Sequence, residues 1–307
     1  MFWECQSCTR RESSYEVNDN ATDHGLLISS EGLDFKRALF CVDPDKFARN
    51  GAYDVWIWLV RQFTLRKLTY ISDRLPAISS LAKLIADRTG SLYMAGLWQG
   101  DLHGLAWFRD YPEERVTHES TRTDLAEFRK NAPTWSWIRM KESVMYRFND
   151  EQRVSSEKDP VLISTDIQTR GSDPFGHVLS AVITLRASTL PVQCVDSASE
   201  AIHDREYVDI LIDHDGIAGK KIGTGCFDGP VKLGSLIYRC KAVRIAERRY
   251  QGAFGQQNIV YFLLVQPDSK VAGRWRRVGM AMSRDLFYRE FYNDSFEIDF
   301  QEKLELG

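Results

Sequence analysis

The sequence predicts an α+β chain: a mostly helical first part, then a predominantly antiparallel β part of sandwich or barrel type. Three observations lead there. Two early segments repeat apolar residues at helical spacing, and the second lies between clear start and stop signals. From about Asn131 onward, strand-like runs follow one another with turn residues between them. No helical pattern intervenes there, which disfavours a parallel α/β sheet. The expected division is a helical region at 1–130 and a β-rich domain at 131–307.

Residues 1–50 are mixed in character, and Ser13–Glu31 reads as a polar surface loop. In Gly51–Leu68, Tyr53, Trp56, Leu59, Val60 and Phe63 recur at spacings of three, three, one and three, with polar Asp54, Arg61 and Gln62 between them. That is a helix. A second helix follows, with Ser72 and Asp73 as N-cap candidates and Pro76 in its first turn. Leu75, Ile78, Leu81, Ala82 and Ile85 form its apolar stripe, and Gly90 supplies the stop. Ser91–Trp98 and Leu102–Phe108 are apolar stretches broken by Gly96, Gly100 and Gly104, and read as short buried helices or irregular packing.

After Pro133, the run Thr134-Trp135-Ser136-Trp137-Ile138 alternates aromatic and small polar residues, as a half-buried strand does. Further strand-like runs are Ser143–Phe148, Val161–Thr165, His177–Leu185, Tyr207–Ile212, Leu236–Ile245, Ile259–Val265, Arg274–Met282 and Phe296–Phe300. Asp173-Pro174, Asp215-Gly216, Asp228-Gly229-Pro230 and Pro267-Asp268 punctuate them.

Composition narrows the function classes. With 8 Trp, 16 Phe and 12 Tyr among 307 residues, there is ample material for a core. Forty basic against 43 acidic residues leave a net charge of −3, which offers no footprint for nucleic acid or an anionic membrane. The longest apolar runs, Val55–Val60 and Ile259–Val265, fall far short of the roughly 18 residues of a membrane helix. The first residues lack the basic and apolar regions of a secretory signal. Six sparse cysteines suit reduced thiols, so the expectation is a cytoplasmic protein.

Few constellations could carry chemistry. Cys5-x-x-Cys8 supplies two of four zinc ligands, with Cys41, Cys194, Cys226 and Cys240 standing alone and His24 isolated, so it reads as incidental thiols. Asp213-His214-Asp215-Gly216 opens like a cation loop, but Lys220 and Lys221 stand where carboxylates are needed, and it reads as a hairpin tip. Gly223–Gly229 misses the dinucleotide spacing by one and leads into no helix, so it reads as a loop. The six histidines are scattered without triad-like spacing. Trp98, Trp107, Trp135 and Trp137 read as core anchors in preference to a ligand box. No catalytic, metal or cofactor residue emerges. The alternatives kept open are an enzyme or ligand-binding β domain around Asp209, Asp213, His214 and Asp215, and a nucleic-acid face built from Arg244, Arg248, Arg249, Arg274, Arg276 and Arg277.

Four stretches, taken together, resemble one family. Leu68–Ala82, reading LTYISDRLPAISSLA, resembles the "LT…D-K/R-LPAISGLA" run of fungal heterokaryon-incompatibility (HET-domain) proteins. Tyr93-Met94-Ala95-Gly96-Leu97-Trp98, with Leu102 and Trp107, resembles their "YLAGLW…L…LLW" segment. Ala132–Trp137 resembles "APSWSWAS", and Phe2-Trp3-Glu4-Cys5 resembles the "LFWEC" found just after the family's last core block. Ser80 and Ile138 depart from the usual Gly and Ala. The resemblance covers roughly residues 1–140, and more loosely the β-rich remainder.

The family's core blocks, "LSYxWG", "WIDxxCINQ" and "RGWTLQE", would precede Phe2 and are absent from this chain. None of their functional positions carries over. The resemblance therefore implies a non-catalytic portion, acting in fungal allorecognition and programmed cell death as a scaffold or interaction module for a protein partner or a HET core. A fragment, a shortened gene model and a divergent paralogue would all look like this. Asp73, Leu75, Pro76, Tyr93, Gly96, Leu97, Trp98, Trp107, Pro133, Trp135 and Trp137 are the family-motif residues, with structural roles expected: Asp73 capping a helix, the leucines burying its face, the tryptophans filling the junction with the β part.

Overall fold

A computed structural model of the chain describes residues 2–4, 9–11, 49–66, 68, 70–110, 131–147, 156–196, 207–214, 217–229, 238–252, 255–283 and 301–307. The polar loop at Ser13–Glu31, the Cys5/Cys8 pair, Asp215 and the Phe296–Phe300 run lie outside the described residues. The protein is mostly β, with one large, almost wholly antiparallel sheet and few helices.

A short antiparallel pair, β1 (Phe2–Glu4) and β2 (Thr9–Arg11), precedes helix α1 (Arg49–Thr64). Tyr53, Trp56, Ile57 and Val60 of α1 are each at most 2 % exposed, a burial wider than one stripe, so the helix sits inside the fold. At its end the Thr64 hydroxyl donates to the Arg61 carbonyl at 3.1 Å and accepts from the Val144 amide at 3.1 Å. Helix α2 (Arg74–Thr89) buries Leu75, Ile78, Ala82 and Ile85 and ends at Gly90, whose φ of 63° and amide bond to the Ala86 carbonyl make the expected left-handed stop.

Asp73 does not cap α2 through its side chain. Ile71–Asp73 form a 3-10 turn that leads straight into the helix, leaving Asp73 at φ −81°, ψ 0° and not in the extended backbone a capping carboxylate uses. Pro76 occupies the third helical position and has no amide to be capped.

Leu102–Leu105 forms a 3-10 turn, a short helix of the kind expected there, whereas Ser91–Trp98 supplies strands to the first of two small antiparallel pairs that lie between the helices and the large sheet. One joins β3 (Tyr93–Met94) to β4 (Leu97–Trp98), and the other joins β5 (Trp107–Arg109) to β6 (Val144–Tyr146). The first described part is thus less helical than its sequence suggests. Thr134–Ile138 is not a strand either: it turns, and Trp137–Arg139 forms a 3-10 turn. The small residues that mimic strand alternation are turn-makers, Ser136 accepting from the Ile138 amide at 3.3 Å.

The large sheet is built from β7 (Val161–Thr169), β8 (Val178–Asp196), β9 (Tyr207–His214), β10 (Ile217–Phe227), β11 (Tyr238–Gly252), β12 (Gly255–Pro267), β13 (Arg274–Met282) and β14 (Gln301–Leu306). Its pairings close on themselves in the order β8–β11–β12–β13–β10–β9–β8, which makes a barrel and removes those edges. Val192, Cys194, Val208, Ile210, Phe227, Cys240, Ala242, Phe262, Leu264 and Ala281, drawn from all six strands, fill its interior. The alternate residues of β11–β13, among them Val243, Tyr261, Leu263 and Met280, face a second core that also holds α1, α2 and the tryptophans. The first half of β8 extends beyond the barrel and pairs with β7 on one side and β14 on the other.

The glycine-rich stretch Gly223–Gly229 reads as a loop, but its residues 223–227 are the end of β10 and only Asp228 and Gly229 leave the strand. Those glycines close the barrel: a Cβ on Gly223 would lie 2.2 Å from the Met282 carbonyl oxygen, and one on Gly225 2.7 Å from that of Met280. Strands β10 and β13 meet at a distance that only glycine permits.

Candidate functional site

Tyr93, Gly96, Leu97, Trp98 and Trp137, singled out in the sequence, meet at the β3–β4 turn. Tyr93 pairs with Trp98 and Met94 with Leu97, leaving Ala95-Gly96 as a two-residue turn with φ of 45° and 97°. Positive φ at both positions matches the right-handed twist of a hairpin and is tolerated best by glycine. The Gly96 carbonyl accepts from the indole of Trp56 at 2.9 Å and from that of Trp137 at 2.8 Å. The Ala95 carbonyl accepts from the Ser136 hydroxyl. A Cβ on Gly96 would lie 2.7 Å from Trp137 Nε1, so the residue is held by conformation and by packing at once. Trp98 stands among three rings: Tyr93 at 5.1 Å, Trp56 at 5.5 Å and Tyr53 at 6.4 Å between centroids. Trp98, Trp107, Trp135 and Trp137 are 0–1 % exposed, and burial raises the Tyr93 phenol well above its ordinary range.

A second node ties this layer to the barrel. Arg277 of β13 is enclosed, its guanidinium forked onto Asp228 at 2.8 and 3.1 Å. It also donates to the carbonyls of Leu105 at 2.7 Å and Trp107 at 2.6 Å, and lies over the Trp107 ring. Burial lowers its pKa, and Asp228 opposes that shift. The Trp107 indole in turn donates to the Trp135 carbonyl at 3.0 Å. Next to it, the Thr134 hydroxyl accepts from the Arg277 amide at 2.9 Å.

Arg74, the first residue of α2, is buried, and its guanidinium donates to the Lys141 carbonyl at 2.9 Å. Burial pulls its pKa down to about 10, with Glu142 acting the other way.

The structure thus brings together Tyr93, Gly96, Leu97, Trp98, Trp107, Trp135 and Trp137, with Leu75 in the same core. Asp73 and Pro76 stand apart at the start of α2. Arg277, Asp228, Thr134 and Ser136 supply the polar contacts of the arrangement, a role their sequence readings (a basic face, a turn and a half-buried strand) do not give them. Arg277 stands in the same run as Arg274 and Arg276, and no residue type or spacing distinguishes the buried arginine from its exposed neighbours.

The alternative locations hold no comparable convergence. Asp209 and Asp213 sit on one face of β9 and are ion-paired, with Lys221 at 2.7 Å and Arg239 at 3.5 Å. His214 ends β9 in register with Ile217, as a hairpin requires. Of the six arginines weighed as a nucleic-acid face, Arg249 is exposed and the other five are engaged or enclosed. Arg244 pairs with Glu247, Arg248 with the Arg147 carbonyl, Arg274 with Glu305, Arg276 with Gln266, and Arg277 is interior. His103 lies 4.0 Å from Asp101 and 3.9 Å from Asp159. Among the described residues no group of three or more His, Cys, Asp or Glu side chains is placed to hold a metal ion, and no helix is long and apolar enough to cross a membrane.

These contacts tie α1 and the Ala132–Trp137 segment to the β3–β4 turn, and the Leu105–Trp107 segment to β13 of the barrel. No protein-family model, no curated protein and no solved structure matches the chain.

Proposed function

We propose that the chain is a non-catalytic interaction module of the heterokaryon-incompatibility type, serving as scaffold for a signalling core or as a contact surface for a protein partner in fungal self/non-self recognition. One observation carries the reading. The side chains through which the chain resembles that family are spent on holding the fold, with four tryptophans 0–1 % exposed and the Trp56 and Trp137 indoles bonded to a single turn carbonyl. A residue that touched substrate would need access from solvent, which these buried rings lack. The aspartates of β9 are already engaged with cations, which favours a surface role for them.

The test is a titration of the whole chain against a separately produced core domain of an incompatibility protein, followed by sedimentation velocity. A complex with Kd tighter than about 10 µM, near 7 kcal/mol of binding, is expected. Absence of any complex at ten times that concentration, together with turnover of a small molecule by the chain alone, overturns the proposal.

A further inference from the structure

We propose that β14 is an exchangeable strand, and that the slot it fills accepts the same segment from a second copy of the chain. The inference is independent of the family reading. Strand β14 is inserted between two others: antiparallel to β8 over Gln301–Leu306, and parallel to β13 through Arg274 and Trp275 alone. Its recognition is that of a peptide in a sheet, with backbone pairing for affinity and alternate side chains for register. Leu304 and Leu306 point inward and are 0 % exposed. Glu302 meets Lys241 at 2.5 Å and the Thr189 hydroxyl at 3.0 Å, and Glu305 meets Arg274 at 3.0 Å.

The far end is read as well. The Gly307 carbonyl accepts from the Thr134 amide at 3.1 Å and from the Thr134 hydroxyl, while the Gly307 amide donates to the Trp275 carbonyl at 3.2 Å. The slot therefore selects an acidic–x–apolar–acidic–apolar strand with a main-chain contact at its end, which this chain itself carries at Glu302–Gly307. Residues 284–300 connect β13 to β14, and at up to about 3.3 Å per residue they can span to a neighbouring molecule as well as back to their own. Every contact made in cis would be reproduced in trans, the low-cost route to a dimer of identical chains. Lys303 stands directly opposite Arg186, like charges in one cross-strand pair that loosen the strand's hold in cis and in trans alike.

Two full-length single variants test it, Arg186→Cys and Lys303→Cys, both at exposed positions. Mixed at high concentration, warmed below the unfolding transition and treated with a short thiol–thiol crosslinker, they should give a covalent dimer. Its linked peptide joins positions 186 and 303, and its yield should rise at least tenfold over a hundredfold increase in concentration. The double variant at low concentration should link within one chain, which establishes that the register is occupied. If the double variant links and the mixture yields no 186–303 peptide at any concentration, exchange does not occur. If neither links, β14 does not occupy the slot. Either result overturns the inference, and neither bears on the affinity for a signalling core.

Discussion

Removing the Asp228 carboxylate by Asp228→Ala would strand the Arg277 guanidinium. That group has no exposed side-chain surface, and its charge is answered by two bonds donated to Asp228, two backbone carbonyls and the Trp107 ring. Deleting one partner of such a pair leaves a cation with no counter-charge in a low-dielectric site, at a cost of roughly 3–5 kcal/mol. Asp228 retains 16 % of its side-chain exposure, so water can follow the deletion and the lower end, about 3 kcal/mol, is expected. At roughly 2–4 °C per kcal/mol for a protein of this size, Tm should fall by about 6–12 °C. Asp228→Asn keeps one acceptor and should lose about half as much. The double variant Asp228→Leu/Arg277→Met removes both charges and should recover part of the loss. It should not recover all of it, because the Leu105 and Trp107 carbonyls then lose their donor at about 1–3 kcal/mol each. Urea unfolding followed by far-UV circular dichroism gives the free energies, and near-UV dichroism reports the Trp107 environment. If Asp228→Ala lies within about 0.5 kcal/mol of the parent, the node does not join the layers and the reasoning fails.

Gly96→Ala should cost more than about 2 kcal/mol in thermal unfolding, because it combines φ of 97° with a Cβ placed 2.7 Å from Trp137 Nε1, whereas Gly90→Ala meets open space and should cost only its positive φ, about 1 kcal/mol. Trp56→Phe and Trp137→Phe each remove one donor from the Gly96 carbonyl, so their double variant should lose about 1 kcal/mol or more beyond the sum, read from a double-mutant cycle. Stability should fall as pH rises above about 9. Burial pushes the Cys226 thiol up to about 12 while the unfolded thiol ionises near 8.5, so the unfolded state binds fewer protons over that window and gains. The loss should reach the order of 1–2 kcal/mol by pH 10, and Cys226→Ala should flatten that part of the curve in urea titrations at successive pH values. Leu304→Ala, at a fully buried position of β14, should cost about 2–4 kcal/mol by the same urea assay.

What the sequence made legible follows the reach of each signal. Periodicity located both helices because their buried faces recur every three or four residues, and Gly90 marked its stop because a left-handed C-cap is a local need. Strand runs were legible wherever one face is apolar, and the run Arg274–Met282 coincides with β13. β10 escaped for a tertiary reason: its glycines answer to the carbonyls of β13, a partner more than fifty residues away in the chain. Asp73 misled for a neighbouring reason, since cap chemistry needs a backbone angle and an amide that Pro76 withholds. The same logic separates the two halves of the candidate site. Its aromatic half was visible because tryptophans in glycine- and proline-punctuated runs have few roles besides core anchoring. Its polar half was not, because an arginine is marked as buried only by the carboxylate and carbonyls that surround it, and these come from two distant stretches, Asp228 on one and Leu105 and Trp107 on the other. The consequence for function is specific. The motif at Ala132–Trp137 is set by what it touches on either side: the β3–β4 turn through Ser136 and Trp137, and the Gly307 carbonyl and β13 through Thr134. A segment so placed transmits any displacement of β14 to the tryptophan layer through one threonine, so Thr134→Val, nearly isosteric but without the hydroxyl bonds, should loosen β14 while leaving the hairpin turn intact. Hydrogen exchange should then quicken across Gln301–Leu306 and stay unchanged at Tyr93–Trp98; equal quickening of both would mean that the layer and the strand move as one body, and that the slot is no separate element.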